Sequence, residues 1–496
     1  MTIRLRGLLR SRTAGNPHGL FLIDARSDRV IDNAGIRAAA RTWSRELDAL
    51  GVPHGARVLL DVDDPIAFAV VHLSVIAAGR CSAPMNPEMT PAEAWRADRA
   101  LRPVLVVTDR KSRPGLRVDA GTGLPADPIS DPHAPVPSDG PPGSAALLTS
   151  GSTGAPKTVE LSEGQLLHVA RAVARHHRLT PADRGFNPLP LFHINAQVVG
   201  LLATLVSGAT LVLDRRFHRT AFWSLLAAHD VTWLNAVPAV LTILSREEEI
   251  PVLPPRLRFV RSASAPLAQG VRRLIADRTG VPVVESYGMT EAASQITATP
   301  LDAPVRPGSV GRPVDVELEV VGPDGAPCAP GVVGRVRIRG AGVIRRYAGG
   351  PGDERINPAH WLDTADLGML DADGYLYLVG RADDVVNRGG ELVYPREVEE
   401  TLLDEPDVAD AVVIARPDDV LGAVPVALVR SVNELDVMAE AELIGRLVTR
   451  CARNLARYKR PAQIRLVRAF PLAPTGKVRR TELRRQLADE LAATGR

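Results

Sequence analysis

The chain has 496 residues, of which 45% are hydrophobic and 24% are charged. A single core does not support that length, so we expect about three folding units, and the composition excludes general disorder. The 60 Lys and Arg residues nearly balance 57 Asp and Glu residues, and a formal net charge of +3 gives no reason to expect a nucleic-acid partner.

The cysteines and the apolar segments predict a cytoplasmic protein. Cys81, Cys328 and Cys451 lack CxxC spacing, which argues against a disulfide framework and against a zinc site. The N-terminal segment has neither a continuous apolar core nor a small-residue cleavage site, so we expect no secretory signal. The most apolar stretch, residues 198–213, is shorter than the roughly 20 residues of a membrane span and predicts buried helix and strand.

Strand and helix patterns alternate through the first two-thirds of the chain. Strand patterns at residues 56–62 and 103–109 flank a helical pattern at 65–78, which predicts βαβ units and a largely parallel sheet. Residues 111–144 are rich in Gly, Pro, Asp and Ser and predict a surface connection. Short alternating segments at 308–340 predict hairpins and a small β-subdomain.

After Arg381 the pattern becomes a compact α+β arrangement, with helices expected at residues 395–403 and 440–455. We therefore predict an α/β fold with two domains. A large N-terminal domain of βαβ layers would span 1–382, and a small, mobile α+β domain would span 383–496. We expect the basic cluster at the C-terminus to be a solvated helix face, formed by Arg479, Arg480, Arg484 and Arg485.

The segment richest in chemical information runs from Thr149 to Lys157. Its glycines allow close backbone approach to an anion, its hydroxyls can donate to phosphate oxygens, and its lysine adds a positive charge. These features predict polyphosphate binding, although an ordinary Ser/Gly-rich turn is the alternative. The spacing matches neither a Walker A loop nor GxGxxG. The binding residues are Thr149, Ser150, Gly151, Ser152, Thr153, Gly154 and Lys157.

This segment resembles the phosphate-binding signature of the ANL superfamily, which contains acyl-CoA synthetases, peptide-synthetase adenylation domains and luciferases. Four further motifs follow in the family's order: residues 285–291 resemble YGxTE, 361–368 resemble TGD, 380–384 with 389–395 resemble the hinge and its following loop, and 474–477 resemble the catalytic-lysine motif. One departure is Ala365, where the family usually has glycine. The resemblance implies an acid–CoA ligase that uses ATP, Mg²⁺ and coenzyme A.

The resemblance also implies individual roles in the adenylation reaction. Glu291 would coordinate Mg²⁺ with the Thr149 hydroxyl, although Glu291 could instead cap a helix. Asp366 would accept from the ribose hydroxyls, Arg381 would contact ribose or phosphate, and Lys477 would bridge the substrate carboxylate and phosphate. The other nucleotide contacts, with Tyr287 stacked on adenine, are Ser264, Ala265, Pro266, Glu285, Ser286, Tyr287, Gly288, Met289 and Thr290.

The acid pocket implied by the resemblance is polar, and no wide apolar tunnel for a long acyl chain is apparent. His193 could line it or be a hydrogen-bonded core residue. Residues 261–267 and 307–313 resemble ligases of small acids such as oxalate. Asp383 would be the hinge, and Gly389 and Gly390 would line the CoA channel. The pocket residues are His193, Asn195, Pro238, Ala263, Ala293, Ser294 and Gln295.

Two other functions fit the same motifs. A stand-alone adenylating enzyme would pass the activated acid to a carrier-protein thiol, an amine or another nucleophile, and some relatives activate nitrite instead of a carboxylate. A non-catalytic protein could have kept the fold. The joint presence of Lys477, Glu291, Asp366 and Arg381 argues against the non-catalytic alternative.

Overall fold

The computed structural model describes residues 4–111, 113–136, 140–149, 157–247, 250, 252–349, 352–472 and 478–494. The α-helices of these residues are α1 Leu5–Gly15, α2 Asn33–Ala49, α3 Pro65–Ala77, α4 Pro91–Leu101, α5 Glu163–His176, α6 Ala203–Ser207, α7 Phe222–Ala228, α8 Pro238–Leu244, α9 Gln269–Thr279, α10 Pro395–Leu403, α11 Val437–Asn454 and α12 Arg480–Thr494.

The strands of the first two sheets include β1 Leu20–Asp24, β2 Val30–Asp32, β3 Arg57–Asp61, β4 Cys81–Pro84, β5 Leu105–Thr108, β6 Leu116–Arg117, β7 Ser144–Thr149, β8 Lys157–Ser162, β9 Arg184–Asn187, β10 Thr210–Leu213, β11 Trp233–Ala236, β12 Phe259–Ser262, β13 Val283–Tyr287, β14 Thr297–Ala298 and β15 Arg312–Pro313. The remaining strands are β16 Glu317–Val321, β17 Gly334–Arg339, β18 Leu362–Leu370, β19 Leu376–Arg381, β20 Val386–Arg388, β21 Glu391–Val393, β22 Val408–Asp418, β23 Gly422–Ser431 and β24 Gln463–Leu466.

The largest sheet of the described residues has nine strands in the order β15-β14-β13-β12-β11-β9-β10-β1-β2. Strands β13, β12, β11, β9, β10 and β1 are parallel, and β2, β14 and β15 are antiparallel. Helices α7, α8 and α9 cover one face, where Phe222, Leu241 and Ile275 belong to one apolar cluster with Val260. Parallel strands place their carboxyl ends at one edge, which is where open α/β sheets bind ligands.

A second sheet has the order β6-β5-β3-β4-β7-β8 and is parallel except between β7 and β8. Helix α3 contacts β1 of the first sheet as well as β3 and β4 of the second, so it lies between the two. Its sequence, PIAFAVVHLSVIA, is apolar on all sides, which suits a helix whose residues are all buried. The Asp64 carboxylate caps it by accepting from the backbone N–H groups of Ile66 and Ala67 at 3.0 and 2.9 Å, and Pro65 begins the helix.

Two smaller sheets complete the fold. The hairpins predicted within residues 308–340 include β16 and β17 of an antiparallel sheet in the order β16-β17-β18-β19. The C-terminal sheet has the order β21-β20-β23-β22, with β24 parallel to β23. Helices α10 and α11 pack on it through Leu402 and Leu447, whereas Leu483 and Leu487 of α12 form a separate cluster with Ile414.

The predicted fold class, a large N-terminal α/β domain with parallel sheets and a smaller C-terminal domain, is confirmed. The predicted solvated face of α12 was wrong for Arg480 and Arg484. The Arg480 guanidinium donates to the Glu399 carboxylate at 2.7 Å, and Arg484 pairs with Asp384. Because Glu399 is buried, it needs a cation beside it, and Arg480 of α12 meets that need.

None of the helices in the described ranges is both long enough and apolar enough to cross a bilayer.

Replacing Asp64 by alanine should lower the free energy of unfolding by about 1 kcal/mol or more, because the variant loses the cap of α3. Asp64 also pairs with Arg29 at 2.6 Å. Asp64→Asn retains a capping oxygen but loses that charge, so the pair of variants separates the two contributions. Urea unfolding followed by tryptophan fluorescence measures both. Equal losses in the two variants would show that the ion pair, and not the cap, is the stabilising contact.

Candidate active site

A hairpin frames the segment predicted to bind phosphate. Strand β7 ends at Thr149 and β8 begins at Lys157, and these two residues are paired in register. The Thr149 hydroxyl donates to the Lys157 carbonyl at 3.4 Å, which holds the two ends of the loop together. The loop residues themselves, Ser150, Gly151, Ser152, Thr153 and Gly154, lie outside the described residues, so their binding of phosphate stays a prediction.

Glu291 is buried in a 3₁₀ turn, Thr290–Ala292, that follows β13. The Tyr347 hydroxyl donates to Glu291 Oε1 at 2.9 Å, and Arg355 Nη1 lies 3.8 Å from the same oxygen. Lys157 Nζ is 5.3 Å from the centre of the Tyr347 ring. Burial and the Glu291 carboxylate raise the pKa of Tyr347, so its phenol remains a donor. Sequence reasoning missed Tyr347 and Arg355, because only the fold brings them to this carboxylate.

The chain around Glu291 folds back closely on itself. The Ser294 N–H donates to the Met289 carbonyl at 3.1 Å, and Ala293 and Ser294 have left-handed φ values of 49° and 97°. A Cβ atom on Gly288 would lie only 1.4 Å from the Ser294 carbonyl oxygen. Only glycine therefore fits at 288. Left-handed backbone at non-glycine residues is costly and concentrates at functional sites.

Tyr287 and Asp366, predicted to hold adenine and ribose, contact each other directly. The Tyr287 hydroxyl donates to Asp366 Oδ2 at 2.5 Å, and Arg381 Nη1 donates to Oδ1 at 3.1 Å. Burial and the Asp366 carboxylate raise the pKa of Tyr287 well above its usual value. Ala365 has a φ of 61°, a region where an L-residue costs roughly 1–2 kcal/mol, which is a physical reason for the glycine usual at this position.

The residues predicted to line the acid pocket follow neighbouring strands at the carboxyl edge of the nine-stranded sheet. Pro238 begins α8 just after β11, Ala263 and Ser264 follow β12, and Ala293, Ser294 and Gln295 follow the turn after β13. Ser264 has a left-handed φ of 77°, and Ala265 and Pro266 beyond it are exposed. The parallel sheet thus brings these segments to a common edge.

The other two predicted pocket residues, His193 and Asn195, precede a π-helix at Ala196–Leu202. The Asn195 side-chain N–H donates to Ser264 Oγ at 3.4 Å, which connects this segment to the end of β12. His193 is half-buried and its ring stacks at a tilt on Phe192, with 4.2 Å between centroids. Short π-helical segments are rare in proteins, and those that occur are often found at functional sites. The sequence predicted a buried helix here but not its π geometry.

A buried arginine that was not among the predicted site residues joins these segments. Arg261 lies on β12 and is 1% exposed. Burial lowers the pKa of its guanidinium to about 9. A charged residue inside an otherwise apolar strand was the available sequence signal. The guanidinium donates to Asn195 Oδ1 at 3.0 Å, Asn235 Oδ1 at 3.0 Å, Ser286 Oγ at 2.6 Å and Gln295 Oε1 at 3.4 Å.

Glu285 is placed apart from these residues. Successive residues of a strand point to opposite faces, so Ser286 points towards Arg261 and Glu285 points towards α9. There the Glu285 carboxylate accepts from Gln269 at 3.4 Å and lies 3.6 Å from Arg272. Burial raises the pKa of Glu285 to about 7. The Glu285 side chain therefore packs into a buried ion pair, on the opposite face of the strand from the Ser286 side chain.

The residues predicted to form the hinge and the CoA channel lie on exposed turns. Asp383 is exposed in the 3₁₀ turn Ala382–Asp384. Gly389 and Gly390 form the two-residue turn between β20 and β21, with φ values of 63° and 94°. Such a turn needs positive φ at both positions, which glycine adopts without strain. Lys477 lies outside the described residues.

Comparisons with known proteins agree with this arrangement. Residues 22–348 match the AMP-binding enzyme family and residues 397–477 match the AMP-binding enzyme C-terminal domain. The chain is 36% identical over 502 residues to a sulfoacetate–CoA ligase of Cupriavidus necator, covering 97% of each. It is 32% identical over 472 residues to an oxalate–CoA ligase of Arabidopsis thaliana, covering 89% of this chain and 90% of that one.

Solved structures give the same result. The o-succinylbenzoate CoA synthetase of Bacillus subtilis with its acyl-adenylate superposes with a TM-score of 0.83 at 27% identity, covering 96% of this chain and 97% of that chain. The same protein in complex with ATP and magnesium ion gives a TM-score of 0.82 at 27% sequence identity, covering 96% of this chain and 98% of that chain. The chain therefore belongs to the AMP-binding enzyme family. Within it, the chain is an AMP-forming acid–CoA ligase of the ANL superfamily, which uses ATP, Mg²⁺ and coenzyme A and forms an acyl-adenylate before the thioester.

Gly288→Ala should reduce pyrophosphate release by about 100-fold or more, since a shift of the site by about 1 Å has that effect. The added methyl group has to displace the Ser294 carbonyl. Gly270→Ala is the matched control, because a Cβ atom there meets nothing within 4 Å. The control should retain activity and melting temperature. A Gly288→Ala enzyme with normal pyrophosphate release would contradict the close crossing of the two segments.

Proposed function

We propose that this ligase activates a short carboxylic acid and transfers its acyl group to coenzyme A. The observation that carries the proposal is the polar environment of the pocket. Asn195, Arg261, Ser286 and Gln295 are all buried and hydrogen-bonded around the strand ends. A long acyl chain would strip these groups of water without offering hydrogen bonds, which is unfavourable. The relatives named for sulfoacetate and oxalate support a short substrate.

The nucleotide side of the proposal assigns roles to residues around Thr149 and Glu291. The loop 149–157 would cradle the phosphates, with Lys157 contributing its charge. Asp366 would accept from ribose, with its Tyr287 and Arg381 contacts fixing the carboxylate's orientation. The Tyr287 ring would contact adenine beside residues 264–266. These groups orient the α-phosphate for attack, and in this reaction orientation and electrostatics account for most of the catalysis.

The donor set fits a magnesium ion shared with the phosphates. In the described residues no group of three or more His, Cys, Asp or Glu side chains could hold a metal, so Glu291 would be joined by phosphate oxygens and by Thr149. Tyr347 and Arg355 both contact Oε1 of Glu291, so Oε2 would face the ion. When bound, Mg²⁺ neutralises charge on the phosphates. Tyr347 would hold Glu291 in place for this role.

The C-terminal residues complete the proposal. We propose a domain boundary between residues 382 and 383, with Asp383 as the hinge, Lys477 acting in adenylation and Gly389 and Gly390 bordering the CoA channel. Separate apolar clusters within residues 386–487 support an independent C-terminal core. We also propose a cytoplasmic location, which free cysteines support.

Glu291→Gln should weaken Mg-ATP binding and reduce adenylation by about 100-fold, because it removes a charged ligand and leaves the shape unchanged. Calorimetry with Mg-ATP, and with ATP in EDTA, separates metal-dependent from metal-independent affinity. Glu354→Gln is a matched control, since Glu354 lies 3.7 Å from Lys157 but its side chain is 71% exposed. Unchanged Mg-ATP affinity and an unchanged adenylation rate in Glu291→Gln would rule out the metal assignment.

The proposed function is tested by pyrophosphate release across two- to four-carbon acids and eight- to sixteen-carbon acids, with and without coenzyme A. We expect release with short acids and formation of a thioester detected by mass spectrometry. Release with long acids alone would overturn the short-acid proposal. Release without a thioester would favour a carrier-protein or amine acceptor, and no release with any acid would favour a non-catalytic protein.

A further inference from the structure

The charge of Arg261 is not compensated within the protein. Four arginines of the described ranges are buried, and three of them have a carboxylate partner: Arg80 with Asp48 at 2.6 Å, Arg272 with Glu285 at 3.6 Å and Arg396 with Glu400 at 2.8 Å. Arg261, the least exposed of the four, forms no ion pair with any described Asp or Glu. Burying an unpaired charge is strongly unfavourable, so its retention needs a reason.

Two buried hydrogen-bond donors in the cluster around Arg261 have no acceptor in the described part of the chain. Its two terminal nitrogens donate to four neutral oxygens, of Asn195, Asn235, Ser286 and Gln295. The Nε–H of Arg261 and the side-chain nitrogen of Gln295 are buried and have no hydrogen-bond partner among the described residues. Buried donors of this kind are normally satisfied. What this cluster lacks is an acceptor, and a negatively charged one would also balance the guanidinium.

The position of the cluster connects it to the substrate. Asn195 bonds both to Arg261 and, at 3.4 Å, to Ser264, which begins the segment proposed to contact the nucleotide. An acid whose reacting carboxylate met the nucleotide at these strand ends would direct the rest of a short chain towards the Asn195, Arg261 and Gln295 side chains.

We propose that the substrate carries a second anionic group, a carboxylate or a sulfonate, and that Arg261 supplies the buried positive charge that selects it. This proposal rests on the proposed function, because it assumes a short acid in the same pocket. Arg261 is thereby a specificity-determining residue, and Asn195 and Gln295 position its guanidinium. A neutral acid of the same shape would leave the charge unpaired, so the pocket should reject it.

The wild-type enzyme is tested first with isosteric pairs. Malonate is compared with malonamate, and sulfoacetate with methylsulfonylacetate, by the kcat/KM of pyrophosphate release. We expect a preference of about 100-fold or more for the dianion in at least one pair. A site built to bind a polar group of its substrate strongly rejects analogues without that group, because its own buried polar groups are then left unpaired. Equal use of both members of each pair, or a preference for the neutral acids, would overturn the proposal while leaving the short-acid function intact. Release with long acids alone would instead overturn the proposed function.

Variants then test whether Arg261 is the source of the preference. In Arg261→Met the ratio of kcat/KM between dianion and neutral isostere should fall towards one, and Arg261→Lys should retain an intermediate ratio. Arg80→Met removes another buried arginine, so it should lower the melting temperature but keep the wild-type ratio. A purely structural Arg261 would instead reduce both acids equally and leave the ratio unchanged, which would overturn the assignment. If Arg261→Met does not fold, the proposal is still tested by the kcat/KM ratio of Arg261→Lys and by the isosteric pairs with the wild-type enzyme.

Discussion

The guanidinium of Arg261 lies where strands β11, β12 and β13 approach their carboxyl ends, and four neutral side-chain oxygens surround it. Asn235 comes from β11, Ser286 from β13, Gln295 from the turn that follows, and Asn195 from the start of the π-helix. A buried cation has to be surrounded by acceptors, so each of these segments is held at a fixed distance from β12. These hydrogen bonds link the segments that carry residues predicted to line the acid pocket.

Two tyrosines perform a similar role among the residues proposed to bind the nucleotide. Tyr347 connects Glu291 with Lys157 from the segment after β17, and Tyr287 connects the end of β13 with Asp366 on β18. In both cases burial and a carboxylate keep the phenol protonated, so that the hydroxyl donates to the acid. The carboxylates of Glu291 and Asp366 are thus already oriented, and in their proposed roles this would reduce the reorganisation needed when charge develops on phosphate.

The sequence alone determined the order of the elements and the family. Apolar runs of strand length alternating with helical patterns indicate parallel βαβ layers, because both periods follow from local backbone geometry. The motifs around Thr149, Glu291 and Asp366 were readable because each lies in a short continuous segment. The glycine requirement at 288 and the two-residue turn at Gly389 and Gly390 are short-range backbone constraints too, but only the structure showed them.

Only the tertiary structure decided which side chains meet across distant segments. The contact of Tyr347 with Glu291, the separation of Glu285 from its neighbour Ser286 and the pairing of Arg480 with Glu399 all depend on how strands and helices pack. A lone arginine in an apolar strand is visible in the sequence, but whether it has a carboxylate partner is not. Its burial among neutral oxygens is a property of the folded sheet, because pairing is set by distance in space and not by spacing along the chain.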